Sequence, residues 1–329
     1  MAKTTGQKTK IIHILNMLEK YTDENHSITT SFIRDELENL GITADRKTIY
    51  SDISCLMDLG YDIQQEPSRN GGGWKLVSRK FELAELKLLV DAISSSKFIT
   101  TKKSRDLIKK LGNLVSDYDA TKLNRQVYVA SRIKSENESI FYIVDSIHRA
   151  IQDNMQISFT YLSWNISKEL VPKGKIKRVV SPWALIWNDE NYYLVAYDEE
   201  AGRFKHFRVD KMSKVTVLNE KRLGSKEFSK IDLARYAEST FGMMGGKQES
   251  ITLEFPEELV GVVIDRFGKD ITLSRTEDGR LRLRTKVVIS GQFFGWLSGL
   301  GTECVIVSPE SVRSNYVKYL KDIIKINSK

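Results

Sequence analysis

Cysteine and histidine are scarce: the 329 residues include 2 of the first and 4 of the second. Cys55 and Cys304 lie in distant segments, which excludes a disulfide framework and a Cys-rich zinc site. Both read as small buried side chains. His13, His26, His148 and His206 are scattered without metal-ligand spacing, so neither a structural metal nor a cofactor is expected. Long apolar runs are missing too. No stretch approaches the roughly 18 apolar residues of a membrane span, and the opening MAKTTGQKTK is polar and basic with no signal-like run behind it. The protein is therefore expected in the cytoplasm and off the membrane. A GxxxxGKS/T loop, a GxSxG elbow and a suitably placed Cys/His pair are likewise lacking, so no catalytic residue is assigned and an enzyme is not expected.

Hydrophobic residues make up 41% of the chain, enough for a substantial core, and the length suits two or three domains. A formal charge of +8 and a pI near 9.2 suit a polyanionic partner. The placement of charge is more informative. Residues 1–80 hold 11 Lys/Arg against 11 Asp/Glu, residues 101–134 hold 9 against 3, and residues 166–222 hold 12 against 8. The basic excess lies behind the first segment, not on it.

That first segment nevertheless has the pattern of a DNA reader. Ile11, Ile14, Leu15, Leu18 and Tyr21 recur at helical spacing from Lys10 to Tyr21. Thr29, Thr30 and Ser31 supply N-cap candidates for a second helix bearing Ile33, Leu37 and Leu40, with Gly41 at its stop. Asp45 is a good N-cap for a third, Arg46 to Leu59, whose Ile49, Ile53 and Leu56 share one face. Its other face offers Arg46, Lys47, Thr48, Tyr50, Ser51 and Ser54, cationic and hydroxyl side chains suited to base edges and phosphates. Tyr61 to Gln65 and Trp74 to Val77 alternate around a turn with Arg69 and Asn70 at its tip. Three helices and a hairpin predict a winged helix-turn-helix over residues 1–80, binding double-stranded DNA through the third helix and through Arg69 on the wing.

Residues 81–137 read as a helical connector, either a candidate dimer interface or a bundle packed on its own chain. A helix over Ser139 to Gln152 then introduces short strands at Gln156 to Tyr161, Lys177 to Val180, Trp183 to Trp187, Tyr192 to Tyr197, Phe204 to Arg208 and Val215 to Leu218. These suggest a small barrel or curled sheet. A linker, residues 224–247, includes the Gly/Met-rich break Phe241 to Gly246. Residues 248–329 read strand, helix, strand, strand, helix, strand with a trailing helix, the ferredoxin-like order.

Ser181 to Leu185, Asn191 to Tyr197 and Arg203 to Met212 resemble the WYL-domain family of regulators. Residues 41–60, GITADRKTIYSDISCLMDLG, resemble the DeoR-like winged helix that often precedes a WYL domain, and residues 248–326 resemble its C-terminal extension. The chain departs from the family at three places. Tyr192 stands at the name-giving tryptophan, Lys211 at the second arginine of the FRLDR stretch, and Ser51 where an arginine often follows Tyr50. The resemblance implies an α+β multidomain protein: a winged helix-turn-helix, the connector, an Sm- or SH3-like β-barrel WYL sensor over residues 138–223, and the ferredoxin-like extension. It also implies a homodimer whose DNA affinity responds to a nucleotide or single-stranded nucleic acid.

For such an anionic ligand, Arg203, Arg208, Lys211 and His206 fall close together, and strand alternation sends Arg208 and His206 to one face. Tyr161, Trp183 and Tyr193 either stack a base or pack in a core. His206 is either a ligand contact or a structural residue. Anion capture at Arg208 is expected to shift the barrel against the connector and so the spacing of the recognition helices. Two other readings compete. One is an accessory nucleic-acid-binding protein of phage defence or DNA repair. The other is an enzyme fused to a winged helix, as in biotin ligase repressors, whose phosphate-binding Gly/Arg-rich loop this sequence lacks.

Overall fold

The computed structural model describes residues 6, 8–67, 72–123, 134–174, 177–231, 240–243 and 245–328. Arg69 and Asn70 of the expected wing tip lie outside them. The chain divides into two units, Met1–Glu136 and Asn137–Lys329, each with its own core. No helix among the described residues is long and apolar enough to cross a membrane.

In the first unit, α1 (Lys10–Tyr21), α2 (Thr30–Asn39) and α3 (Arg46–Asp58) surround Ile14, Leu18, Ile33, Leu37, Ile49 and Ile53, all fully buried. Local chemistry fixes the ends. Thr29 accepts a hydrogen bond from the Phe32 N–H, and Asp45 accepts one from the Thr48 N–H, each relieving an orphan donor of a helix first turn. Gly41 follows α2 at φ +74, the left-handed stop. Strands β1 (Ile28–Thr29), β2 (Ile63–Glu66) and β3 (Gly73–Leu76) form an antiparallel sheet in the order β1-β3-β2. The two-residue β1 is too short to show period-2 alternation and escapes sequence reading. Cys55 is exposed on α3, which corrects the expectation that both cysteines are buried; Cys304 is buried, and burial pushes its thiol up to about 11.

Behind the sheet, α4 (Leu83–Ser95), α5 (Thr101–Gly112) and α6 (Asp117–Leu123) enclose Leu86, Val90, Val115 and Leu123. Asp23, 5% exposed, ties this bundle to the three-helix region. Its carboxylate accepts from Ser116 Oγ at 2.8 Å and from the Asn25 N–H, and it meets His26 Nδ1 at 2.7 Å. His26 in turn stacks on Tyr118 with centroids 3.7 Å apart. Burial works to raise the Asp23 pKa, but the hydrogen bonds outweigh it and hold the carboxyl below its ordinary value. Lys134 closes the unit. Its ammonium donates to the Ser96 carbonyl at 2.8 Å, Ser104 Oγ at 3.0 Å and the Ile93 carbonyl at 3.1 Å, with the Ile99 carbonyl at 3.4 Å.

The second unit opens with α7 (Ile140–Gln152), which lays Ile140, Ile143, Ile147 and Ala150 on a rolled antiparallel sheet. Strands β4 (Met155–Trp164), β5 (Leu170–Pro172), β6 (Arg178–Asn188), β7 (Asn191–Asp198) and β8 (Arg203–Arg208) follow the order β5-β4-β6-β7-β8, and β9 (Met212–Lys221) pairs β4. Strand β6 is continuous where the sequence suggests two strands: a bulge between Pro182 and Ala184 lets one half pair β4 and the other β7. Leu194, Ala196, Phe207 and Phe159 are buried on one side of the sheet. Ala184, Ile186, Tyr193 and Val195 form the core of the other.

After α8 (Ser225–Phe228), β10 (Gln248–Phe255), α9 (Val260–Phe267), β11 (Leu273–Arg275), β12 (Leu281–Val288), α10 (Gly291–Gly299), β13 (Val305–Ser308) and α11 (Glu310–Asn327) complete the unit. Their sheet runs β11-β12-β10-β13, and the helices pack over Ile251, Leu253, Phe255 and Leu283 on one face. Phe241 and Met243 are both buried, which is more than a linker requires. Phe241 joins the core beneath these helices and Met243 joins that on β6 and β7, with Gly242 at φ +56 turning the chain between them.

Lys134→Met removes the ammonium donor from each of the oxygens it binds, leaving the Ile93 carbonyl only the long 3.5 Å hydrogen bond from Ser104 Oγ. Because unsatisfied buried acceptors cost about 1–3 kcal/mol, amides of α4 and α5 should lose hydrogen-exchange protection by that amount, with β10 and β12 unchanged.

Candidate nucleic-acid and anion sites

Helix α3 is held from behind and open in front. Ile49, Ile53 and Leu56 are buried, and Lys10 Nζ meets Asp52 Oδ2 at 2.9 Å, tying α1 to α3. Lys47, Ser51 and Ser54, at i, i+4 and i+7, are exposed, as are Arg46 and Thr48. The Thr48 hydroxyl is already used, donating to the Asp45 carbonyl at 3.0 Å. Tyr50 differs from the expectation of a purely outward side chain. Its ring is half-buried, edge-on to Trp74 at 5.0 Å, because the hairpin packs against this side of α3. Its hydroxyl stays at the surface and accepts from Arg46 at 3.0 Å and from Gln65 at 3.5 Å. The Arg46 hydrogen bond, more than any other influence, lowers the phenol's pKa. Arg46, with its guanidinium 5.2 Å from the Tyr50 ring, is thereby preset beside Lys47 and Ser51.

In the second unit, strand alternation does place Phe204, His206 and Arg208 on one face of β8, with Val195 opposite His206 and Tyr193 opposite Arg208. Arg208 is tightly engaged. Its Nε and one terminal nitrogen meet the Asp210 carboxylate at 3.0 and 2.7 Å, that nitrogen also reaches Asn191 Oδ1 at 2.9 Å, and its backbone N–H donates to the Tyr161 hydroxyl at 3.2 Å. Burial would lower the guanidinium's pKa; the Asp210 hydrogen bond and charge reverse this and leave it raised.

Further cations face the same region. Lys211 is half-buried, and burial together with the charges of Arg208 and Lys173 lowers its pKa against the pull of Asp210. Arg178 acts electrostatically on Tyr161, whose hydroxyl burial pushes up. Burial likewise raises Tyr193. Lys173, Arg178, Asn191 and Asp210 are thus site residues that the sequence reading left unassigned. Asp210 had a local signal, standing two residues beyond Arg208, whereas Lys173 and Arg178 arrive from β5's end and β6 with no signal in their own segments.

Two expected residues are elsewhere. Arg203 begins β8, about 17 Å of strand away from Arg208, is exposed, and by alternation faces the other side. Trp183 sits at the β6 bulge, stacked on Phe228 at 4.6 Å and donating to the Leu223 carbonyl at 2.8 Å, with Arg222 4.1 Å over its ring. Those partners occupy its faces, so it packs the end of the sheet domain. The Tyr161 ring likewise packs edge-on against Phe207 at 5.4 Å and presents chiefly its hydroxyl. The gathered set is therefore Tyr161, Tyr193, His206, Arg208 and Lys211, with Lys173 and Arg178 added.

His206 is largely buried, and burial lowers its pKa despite a hydrogen bond to the Met243 backbone. A lowered histidine supplies stability that is complete above the unfolded value of about 6.5 and is lost as pH falls toward the folded value. The fall in melting temperature between about pH 7.5 and pH 5.5 should therefore be smaller in His206→Gln than in the unmodified protein.

A WYL domain model matches residues 142–217 and a WCX domain model residues 247–324. No curated protein matches the chain. Among solved structures, proteasome accessory factor B/C (PafBC) of Arthrobacter aurescens is similar at 18% identity and a TM-score of 0.30, over 95% of this chain and 48% of that one. The chain thus spans about half the length of that relative. A CRISPR Cas-related protein is similar at 15% identity and a TM-score of 0.36, over 97% of this chain and 85% of that one. The two domain matches, in this order, cover the rolled sheet with its Arg208 cluster and the four-stranded sheet that follows it in the chain: the chain carries a WYL domain and, after it, a WCX domain.

Proposed function

We propose that the protein is a sequence-specific, DNA-binding transcription regulator whose WYL domain senses an anionic ligand, a nucleotide or single-stranded nucleic acid. One observation carries this reading: α3 is backed by a fully buried apolar face and presents Arg46, Lys47, Ser51 and Ser54 to solvent beside an antiparallel hairpin. Such a helix is shaped for a major groove, with cations for phosphates and guanine and hydroxyls for base edges. On this reading residues 1–80 are a winged helix-turn-helix, the rolled sheet is an Sm- or SH3-like barrel, and the order β13-β10-β12-β11 is that of a ferredoxin-like domain. The role is non-catalytic, in a cytoplasmic homodimer.

Sensing falls to the Arg208 cluster. A phosphate offers the paired acceptors that Asp210 supplies in the free protein, so ligand capture exchanges one anion for another instead of filling an open cation. Asp210 lies in the turn Val209–Lys211, and the side chain of Asn137 donates to the Asp210 and Met212 carbonyls, each at 3.2 Å. Exchange at Arg208 therefore loads the residue at which the second unit begins, and a ligand that favours one position of this turn shifts DNA affinity.

Fluorescence polarisation with duplexes recovered by the protein from fragmented DNA tests the first half. Lys47→Ala should weaken every duplex and make the salt dependence shallower by about 0.9. Ser51→Ala should relax preference at one base position by about 1–3 kcal/mol. Unaltered binding by both variants rejects the α3 assignment. For the second half, Arg208→Gln should lose binding of ATP and short oligonucleotides while retaining the unliganded melting profile to within a few degrees, and Asp210→Asn should bind them more tightly. Wild-type affinities in both would remove Arg208 from the ligand site.

A further inference from the structure

The four-stranded sheet of the WCX domain has one face under helices and one bare. On the bare face, outward residues of β12 are Arg282, Arg284 and Lys286, each exposed, and Thr252 of β10 lies opposite Arg284. Arg282, Arg284 and Thr252, with Thr272, Ser274 and Val307, border a groove of about 680 Å³, and Lys286 stands one strand repeat beyond Arg284, outside that lining. Arg282 is neutralised by Glu254, its Nε 2.8 Å from the carboxylate. Arg284 and Lys286 are not: neither side chain has a hydrogen bond or ion pair among the described residues. The face thus holds two uncompensated cations flanked by hydroxyls.

We infer that this face binds the phosphodiester backbone of a single nucleic-acid strand. Alternate residues of a β-strand stand about 6.7 Å apart, so Arg284 and Lys286 form a short row able to hold neighbouring phosphates of one extended chain, while Thr252 and Ser274 donate to phosphate oxygens. A protein partner would be gripped by a desolvated apolar or aromatic centre. The positions around Arg284 are instead mostly small hydroxyls and charges, the two exposed valines, Val305 and Val307, both standing on the edge strand β13. Nor does the face offer an aromatic ring for bases, so the contact reads charge and spacing, not sequence. It is independent of Arg208, which belongs to another sheet of the unit. A strand held here adds phosphate contacts to whatever the WYL domain recognises, raising avidity for oligonucleotides over mononucleotides.

The test uses the full chain, a fluorescein-labelled 20-mer oligothymidylate and polarisation across a sodium chloride series. With Arg284 and Lys286 both changed to Gln, two phosphate contacts are lost at about 0.7 each in the slope of log affinity against log salt. The slope should become shallower by about 1.4, with affinity falling on the order of 25-fold near 0.1 M salt. The R284K/K286R protein should behave as wild type. Lys318→Gln with Lys321→Gln, exposed on α11, controls for net charge. An unchanged slope in R284Q/K286Q, or an equal change in the α11 control, overturns the proposal. The α3 variants probe duplex binding separately, so rejecting the regulator reading leaves this result standing, and the reverse holds too.

Discussion

A half-buried guanidinium cannot be left without a counter-charge, and much of the second unit's geometry follows from how Arg208 meets that demand. Asp210 supplies the charge, which requires the chain to turn back immediately after β8 through Val209–Lys211. That turn fixes the Asp210 carbonyl where Asn137 can reach it, and so fixes the start of the unit. Asn191 takes a remaining donor and ties the turn to the β6-β7 hairpin end. Removing the cation would leave the Asp210 carboxylate and the Asn191 amide oxygen without this donor, while Asn137 still holds the turn by its carbonyls. A second anion in place of the Asp210 carboxylate would preserve the local charge balance at Arg208.

The helices of the first unit were legible because their signals are local. Apolar spacing over Lys10 to Tyr21 coincides with α1, and the caps at Thr29 and Asp45 act within their own first turns. The rolled sheet was legible as a set of strands but less so as connections. Ser181 and Pro182 look like a break in sequence, yet the bulge beside them carries one strand across two pairings. Leu170–Pro172 is too short to show alternation, so β5 became visible only through its pairing with β4. The order of elements in the last domain could be read in full, because each is bounded by a turn signal or a change of period.

Site residues divide along the same line. That His206 and Arg208 share a face follows from strand geometry alone. That Tyr50 is held by Trp74, that Trp183 is covered by Phe228, and that the charges of Lys173 and Arg178 act on Lys211 and Tyr161 all depend on how distant segments are brought together. Composition gives the right chemistry for these positions without saying which side chains are already spoken for.

Among the described residues the Lys134 ammonium is held without a carboxylate: three backbone carbonyls and one hydroxyl surround it. Dissolved ions weaken attraction between full charges far more readily than they disturb a partly enclosed charge set among fixed dipoles. Brine strong enough to strip polyanions from the molecule's cationic surfaces would therefore leave this clasp shut. Helices α4 and α5 should keep their arrangement in concentrated electrolyte.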